Sequence, residues 1–191
     1  MANEFERIEL IIGGVVNDKL KQIIKRYNQF EKTDLFNDIK AVLNCDDKTA
    51  TKYQLSHCNM VSFWAGIKVQ GYTDIEYADF FKLMLDHDFC RDDGFINISK
   101  DAIMEDLFGV DFDIEYVKDF EDVINPFRLD KDSLYQMKLE NSMHFIICGV
   151  DDHNIMLIYD SGSRGVGVPA IGAKRVDENH FKWLLEIKPK K

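Results

Sequence analysis

The hydrophobic periodicity of this chain changes once along its length. Between residues 15 and about 110, apolar side chains recur at three- and four-residue spacing. From residue 133 onward they alternate or run in short continuous blocks. Helices followed by strands are incompatible with alternating strand–helix–strand units, so a parallel doubly wound sheet is excluded. The order predicts an α+β class. N-terminal helices, about 1–110, pack on a C-terminal antiparallel β-sheet, about 130–191, in one domain spanning 1–191. With 191 residues, 46% of them hydrophobic, the chain has enough apolar material for such a core.

Particular segments carry this reading. Residues 15–30 place Leu20, Ile23, Ile24, Tyr27 and Phe30 on one helical face, with Asn17 or Asp18 as the expected cap. Phe36 to Leu43 is ambiguous, and Asn44, Asp46 and Asp47 read as a polar loop. A helix is expected from Cys58 to a stop at Gly71. Thr73 and Glu76 form a capping-box pattern before Phe80, Phe81, Met84 and Leu85. Ser99 is placed to cap a further helix ending near Gly109. Residues 133–140 alternate like a half-buried strand. MHFIICGV and IMLIYD flank the turn DDHN and predict a β-hairpin buried on both faces. Residues 161–172 read as a glycine-bearing loop. A strand at KRV, a helical turn at DENHFKW and a last strand at LLEIK complete the chain.

Charge and composition narrow the partners. There are 34 acidic against 24 basic residues, a net of -10, which disfavours nucleic acid and anionic membrane surfaces. Much of the acidity lies in the segment from Glu105 to Asp132, read as solvated surface or a partner surface. No apolar run approaches the ~20 residues needed to cross a bilayer. The N-terminal residues lack a secretory pattern, so a cytoplasmic location is expected. Cys45, Cys58, Cys90 and Cys148 form no CxxC pair and are expected as free thiols. His57, beside Cys58, has no closely spaced Cys or His ligands near it. Neither a metal site nor a cofactor is expected, and the sequence assigns no oligomeric state.

One cysteine is placed for chemistry. Cys58 falls at a helix start, where backbone N–H groups and the helix dipole favour the thiolate. A nucleophilic thiol needs a base, and His144 and Asp160 sit at opposite ends of the hairpin. A three-residue loop, Asp151 to His153, would pair residue 150 with residue 154. His144 would then lie directly opposite Asp160 on the same face. A one-residue slip would separate them to opposite faces.

The stretch YQLSHCNMVSFWAGI carries Cys58, Asn59 and Ser62 as Cys-Asn-x-x-Ser. The stretch MHFIICGVDDHNIMLIYDSGSRG carries a His opening a strand, a short turn, and an Asp before a glycine loop. In these blocks, about 40 of the 191 residues, the chain resembles the papain-like cysteine peptidases of the bacterial and phage group related to double-glycine leader peptidases. The resemblance implies a papain-like fold, with Cys58 as nucleophile, His144 as general base and Asp160 as the residue that orients it. It implies Gln54 as a donor to the oxyanion hole. Asn59 and Arg164 are the candidate substrate-binding residues, Arg164 for a substrate carboxylate. The implied activity is peptide or amide hydrolysis through a thioester. A peptidoglycan peptide, a leader peptide and a host protein all fit as substrates. The same triad could serve acyl transfer, and the same fold could serve as a non-catalytic binding module.

Overall fold

The computed structural model describes residues 15–30, 32–111, 116–117, 129–139, 143–153, 155–162, 166–169 and 181–190. Among these residues the helices are α1 (Val15–Arg26), α2 (Asp34–Leu43), α3 (Asp47–Gln54), α4 (Cys58–Val69), α5 (Tyr77–Asp86) and α6 (Lys100–Phe108). The strands are β1 (Tyr116–Val117), β2 (Leu134–Leu139), β3 (Phe145–Val150), β4 (Met156–Tyr159), β5 (Val166–Pro169) and β6 (Phe181–Ile187). They form one sheet in the order β1-β6-β2-β3-β4-β5, and every described pairing is antiparallel. Helices precede an antiparallel sheet, so the chain is α+β. None of the described helices is long and apolar enough to cross a membrane.

α4 is the central helix. Nine of its twelve residues are buried, as expected of a helix that is apolar on all sides. It packs on β2 and β3. Gly66 lets it approach closely, because a Cβ there would run into the Cδ1 atoms of Ile187 and Ile147. Gln136 of β2, fully buried, donates from Nε2 to Asn59 O (2.9 Å) and to Ser62 Oγ of α4, fastening helix to sheet. The helix ends at Gly71, whose φ of +84° few other residues adopt. Tyr72 N then bonds Ile67 O (2.9 Å) and Gly71 N bonds Lys68 O (3.2 Å), which satisfies two terminal carbonyls.

The period-2 alternation of the strands sorts their side chains onto two faces. Leu134, Ile147, Leu157, Tyr159, Leu185 and Ile187 join the helical core. Tyr135, Met137, Leu139, Ile146, Cys148 and Ile158 form a second buried cluster on the other face.

Several expectations are corrected. α1 already includes Asn17 and Asp18, so neither caps it. Residues 36–43 are helical, and a further helix, α3, occupies the expected polar loop. Asp46 caps α3 by accepting from Thr49 N (2.8 Å), but only Ala50 and Gln54 are buried there, too few for a hydrophobic period to show. The Thr73–Glu76 capping box does not form. Thr73 Oγ1 instead accepts from Ile75 N in a local turn, and α5 starts at Tyr77. β2 is buried on both faces, because clusters lie on either side of the sheet. Val166–Pro169 is a strand paired to β4, inside the expected glycine loop. β6 starts at Phe181, so the expected helical turn does not extend past His180, and KRV lies outside the described residues. Ser99 does cap α6, accepting from Ala102 N, and Gly109 ends it at φ +62°. All four cysteines are free.

Candidate active site

The hairpin places the histidine and the aspartate by a different register from the expected one. Asp151 N donates to Ile155 O (2.9 Å), and Asp151 Oδ1 accepts from the N–H groups of His153 and Ile155 (2.9 and 2.7 Å). This side-chain-capped turn closes a five-residue loop, and Val150 pairs with Met156 rather than residue 154. The shift is two residues, so the faces are kept. His144 no longer opposes Asp160 directly. Continuing the ladder puts Gly162 opposite His144 and makes Asp160 its diagonal neighbour, still within reach of a long side chain. The diagonal contact forms: His144 Nε2 lies 2.6 Å from Asp160 Oδ1.

Gly162 makes room for it. A Cβ at this position would stand 2.6 Å from His144 Cε1 and 3.1 Å from Nε2. Its backbone lies outside the left-handed region, so glycine is required here for space. Its N–H also donates to Asp160 Oδ1 (2.7 Å), which fixes the carboxylate. Asp160 itself is buried.

Cys58 starts α4, buried, with its Sγ 3.7 Å from Met143 O. It is also a hydrogen-bond partner of His144. With Nε2 committed to Asp160, Nδ1 is the ring nitrogen left for the thiol. Burial lowers the pKa of the imidazole, but the hydrogen bonds to Asp160 and Cys58 outweigh it and raise the value to about 9. His144 is therefore cationic at neutral pH, and a cationic imidazole is the partner that favours a thiolate. Burial pushes the Cys90 thiol up to about 12 and raises Cys148 as well.

The cysteine and histidine line an open pocket of about 350 Å³. Leu55, Phe95 and Met143 stand exposed on its walls, at 54%, 44% and 68%. Arg91 and Asp93 also line it. They neutralise each other at 2.8 Å, and the guanidinium lies 4.6 Å from the Phe95 ring centroid.

The other sequence candidates fall in different places. Asn59 lines the pocket, and its carbonyl and Oδ1 both receive Gln136 Nε2. Gln54 lies one turn before Cys58 but is not among the pocket residues. Its Nε2 donates to Asn28 O (2.7 Å). Arg164 lies outside the described residues, as does most of the acidic segment. Among the described residues, no three His, Cys, Asp or Glu side chains gather as metal ligands.

Sequence reasoning missed three supporting side chains. His57 is fully buried, with Nδ1 2.6 Å from Tyr77 OH and Nε2 3.3 Å from Asp92 O. A carbonyl can only accept, so Nε2 carries the proton and Nδ1 accepts from the tyrosine. Burial lowers this imidazole to about 4, so it is neutral and structural. It holds the loop carrying Arg91 to Phe95. Gln29 is buried between the turn before Cys58 and the turn after Asp160. Lys100, between the rings of Phe63 and Phe145, is lowered by burial to about 7. The polar sequence around these residues carries no signal of burial, although the Cys58 helix start and the DSG turn were visible.

Comparison with known proteins returned no matching family model, no matching curated protein and no matching solved structure.

Proposed function

We propose that this chain is a cysteine peptidase or related thiol amide hydrolase, acting through Cys58, His144 and Asp160 on a papain-like α+β framework. One observation carries the reading. A thiol at a helix start and an imidazole 86 residues later line one open pocket, and a buried carboxylate just past the end of the next strand lies 2.6 Å from that imidazole. The Cys58 thiolate attacks a carbonyl carbon, and His144 hands its proton to the departing amine. Asp160 holds the ring and favours its cationic form. First-turn N–H groups of α4 face the developing oxyanion. One N–H of the Gln54 amide is committed to Asn28 O. Water, deprotonated by the now neutral His144, then hydrolyses the thioester.

The pocket supports a narrower statement about substrate. Its exposed walls are apolar, and its Arg91–Asp93 pair is compensated internally. An uncharged, bulky apolar side chain beside the scissile carbonyl fits such a site. Acyl transfer uses the same groups with an acceptor other than water.

The test is the second-order rate of alkylation by iodoacetamide near pH 7, in a Cys45→Ser background. The rate should exceed that of a free thiol at least tenfold, and Cys58→Ala should abolish labelling. Alkylation of Cys58 no faster than glutathione would sink the proposal.

A further inference from the structure

We propose that Gln29 is a positioning residue that sets the geometry of the triad by tying the nucleophile's turn to the aspartate's turn. The inference rests on the thiol-hydrolase reading above. Cys58 and Asp160 reach the site on different parts of the fold, one on a helix after an irregular turn and one beyond a strand end. Their relative placement needs a connection that the sheet ladder does not supply.

Gln29, between α1 and α2, makes that connection. Its N–H donates to Ser161 O (2.8 Å), next to Asp160. Its side-chain Nε2 donates to Gln54 O (3.1 Å) and Leu55 O (3.0 Å), the carbonyls that lead into Cys58. Its Oε1 approaches Gly162 from the same side as the His144 ring. A Cβ on Gly162 would stand 2.7 Å from that oxygen and 2.6 Å from His144 Cε1. The residue is 3% exposed, so these bonds meet no competition from bulk water. Gln54 in turn donates to Asn28 O, so the two glutamines doubly brace the segment at Asn28 and Gln29 to the turn before Cys58. The Gln29 amide is spent on two backbone carbonyls and faces no substrate, so it acts through placement.

The experiment compares wild type with Gln29→Met and Gln29→Glu. Melting curves establish the fold, NMR titration follows the His144 ring, and iodoacetamide rates are read from pH 5 to 10. In Gln29→Met the His144 pKa should fall from about 9 toward the ordinary value. The alkylation rate at pH 7 should drop about 10- to 100-fold, the scale of a misplacement near 1 Å. Folded Gln29→Met with an unchanged titration and a rate within twofold of wild type overturns the proposal. Gln29→Glu covers the case in which the methionine variant does not fold. Its carboxylate repels the two carbonyls when ionised and donates a hydrogen bond when protonated. Its rate relative to wild type should therefore climb as pH falls, and a ratio independent of pH overturns the proposal. If wild-type Cys58 proves unactivated, the hydrolase reading fails by itself. The His144 titration, which needs no reactive thiol, then decides on Gln29.

Discussion

Gly162→Ala isolates the imidazole–carboxylate contact. The added methyl would sit 2.6 Å from His144 Cε1 and 2.7 Å from Gln29 Oε1, closer than real Cβ contacts come. The His144 ring or the Gln29 amide must shift, and a shift of the ring breaks its contact with Asp160. The wild-type ring titrates near 9 against an ordinary 6.5. That difference corresponds to about 3 kcal/mol in favour of the folded, protonated form. The pKa is raised on folding, so this stabilisation is complete below pH 6.5 and disappears as pH rises through 9. Denaturant unfolding at half-unit steps from pH 6 to 10 measures it. Titrations common to both proteins, Lys100 among them, cancel in the difference, so the stability gap between wild type and Gly162→Ala should fall by about 3 kcal/mol across this window. The gap between the proteins should then shrink toward pH 10, where only steric cost remains. A gap constant across this range, with His144 still titrating near 9, would refute the assignment of the contact.

Further outcomes follow from the same geometry. His57 has a pKa depressed to about 4, so its contribution is present above pH 6.5 and lost as pH falls through 4. His57→Gln should make the acid loss of stability between pH 6.5 and 4 smaller than in wild type by about 3 kcal/mol, read by denaturant unfolding at half-unit steps from pH 7 to 3. Gly94→Ala combines a φ of +76° with a Cβ 2.6 Å from His57 Cδ2, and should cost about 2 kcal/mol or more in denaturant midpoint experiments. Gln136→Leu removes the donor to Asn59 and Ser62 and should lower stability by about 2 kcal/mol, read by thermal unfolding. Phe95→Asp should slow inactivation by a peptidyl epoxide bearing a leucine side chain about tenfold while leaving iodoacetamide rates unchanged. Equal effects on both reagents would argue against an apolar pocket.

The segregation of helices from strands, and with it the α+β class, was legible because burial imposes a period of 3.6 in one half and 2 in the other. The helix from Cys58 was legible by its composition: apart from Ser62, the run from Met60 to Ile67 is apolar. α3 was not, since a helix that buries only Ala50 and Gln54 leaves almost no period to read. The hairpin shows where local sequence stops being sufficient. DDHN marked a turn, but Asp151 receives two backbone N–H groups and lengthens the loop to five residues, moving the register by two. Parity alone kept His144 and Asp160 on one face.

What the sequence determined by itself was the segregation of helices from strands and the choice of Cys58, His144 and Asp160 as candidates, because both rest on local composition and spacing. What only the tertiary structure decided was the diagonal pairing at Gly162, the burial of His57, and the double brace by Gln29 and Gln54. Those depend on groups far apart in the chain competing for the same space and the same few backbone hydrogen bonds.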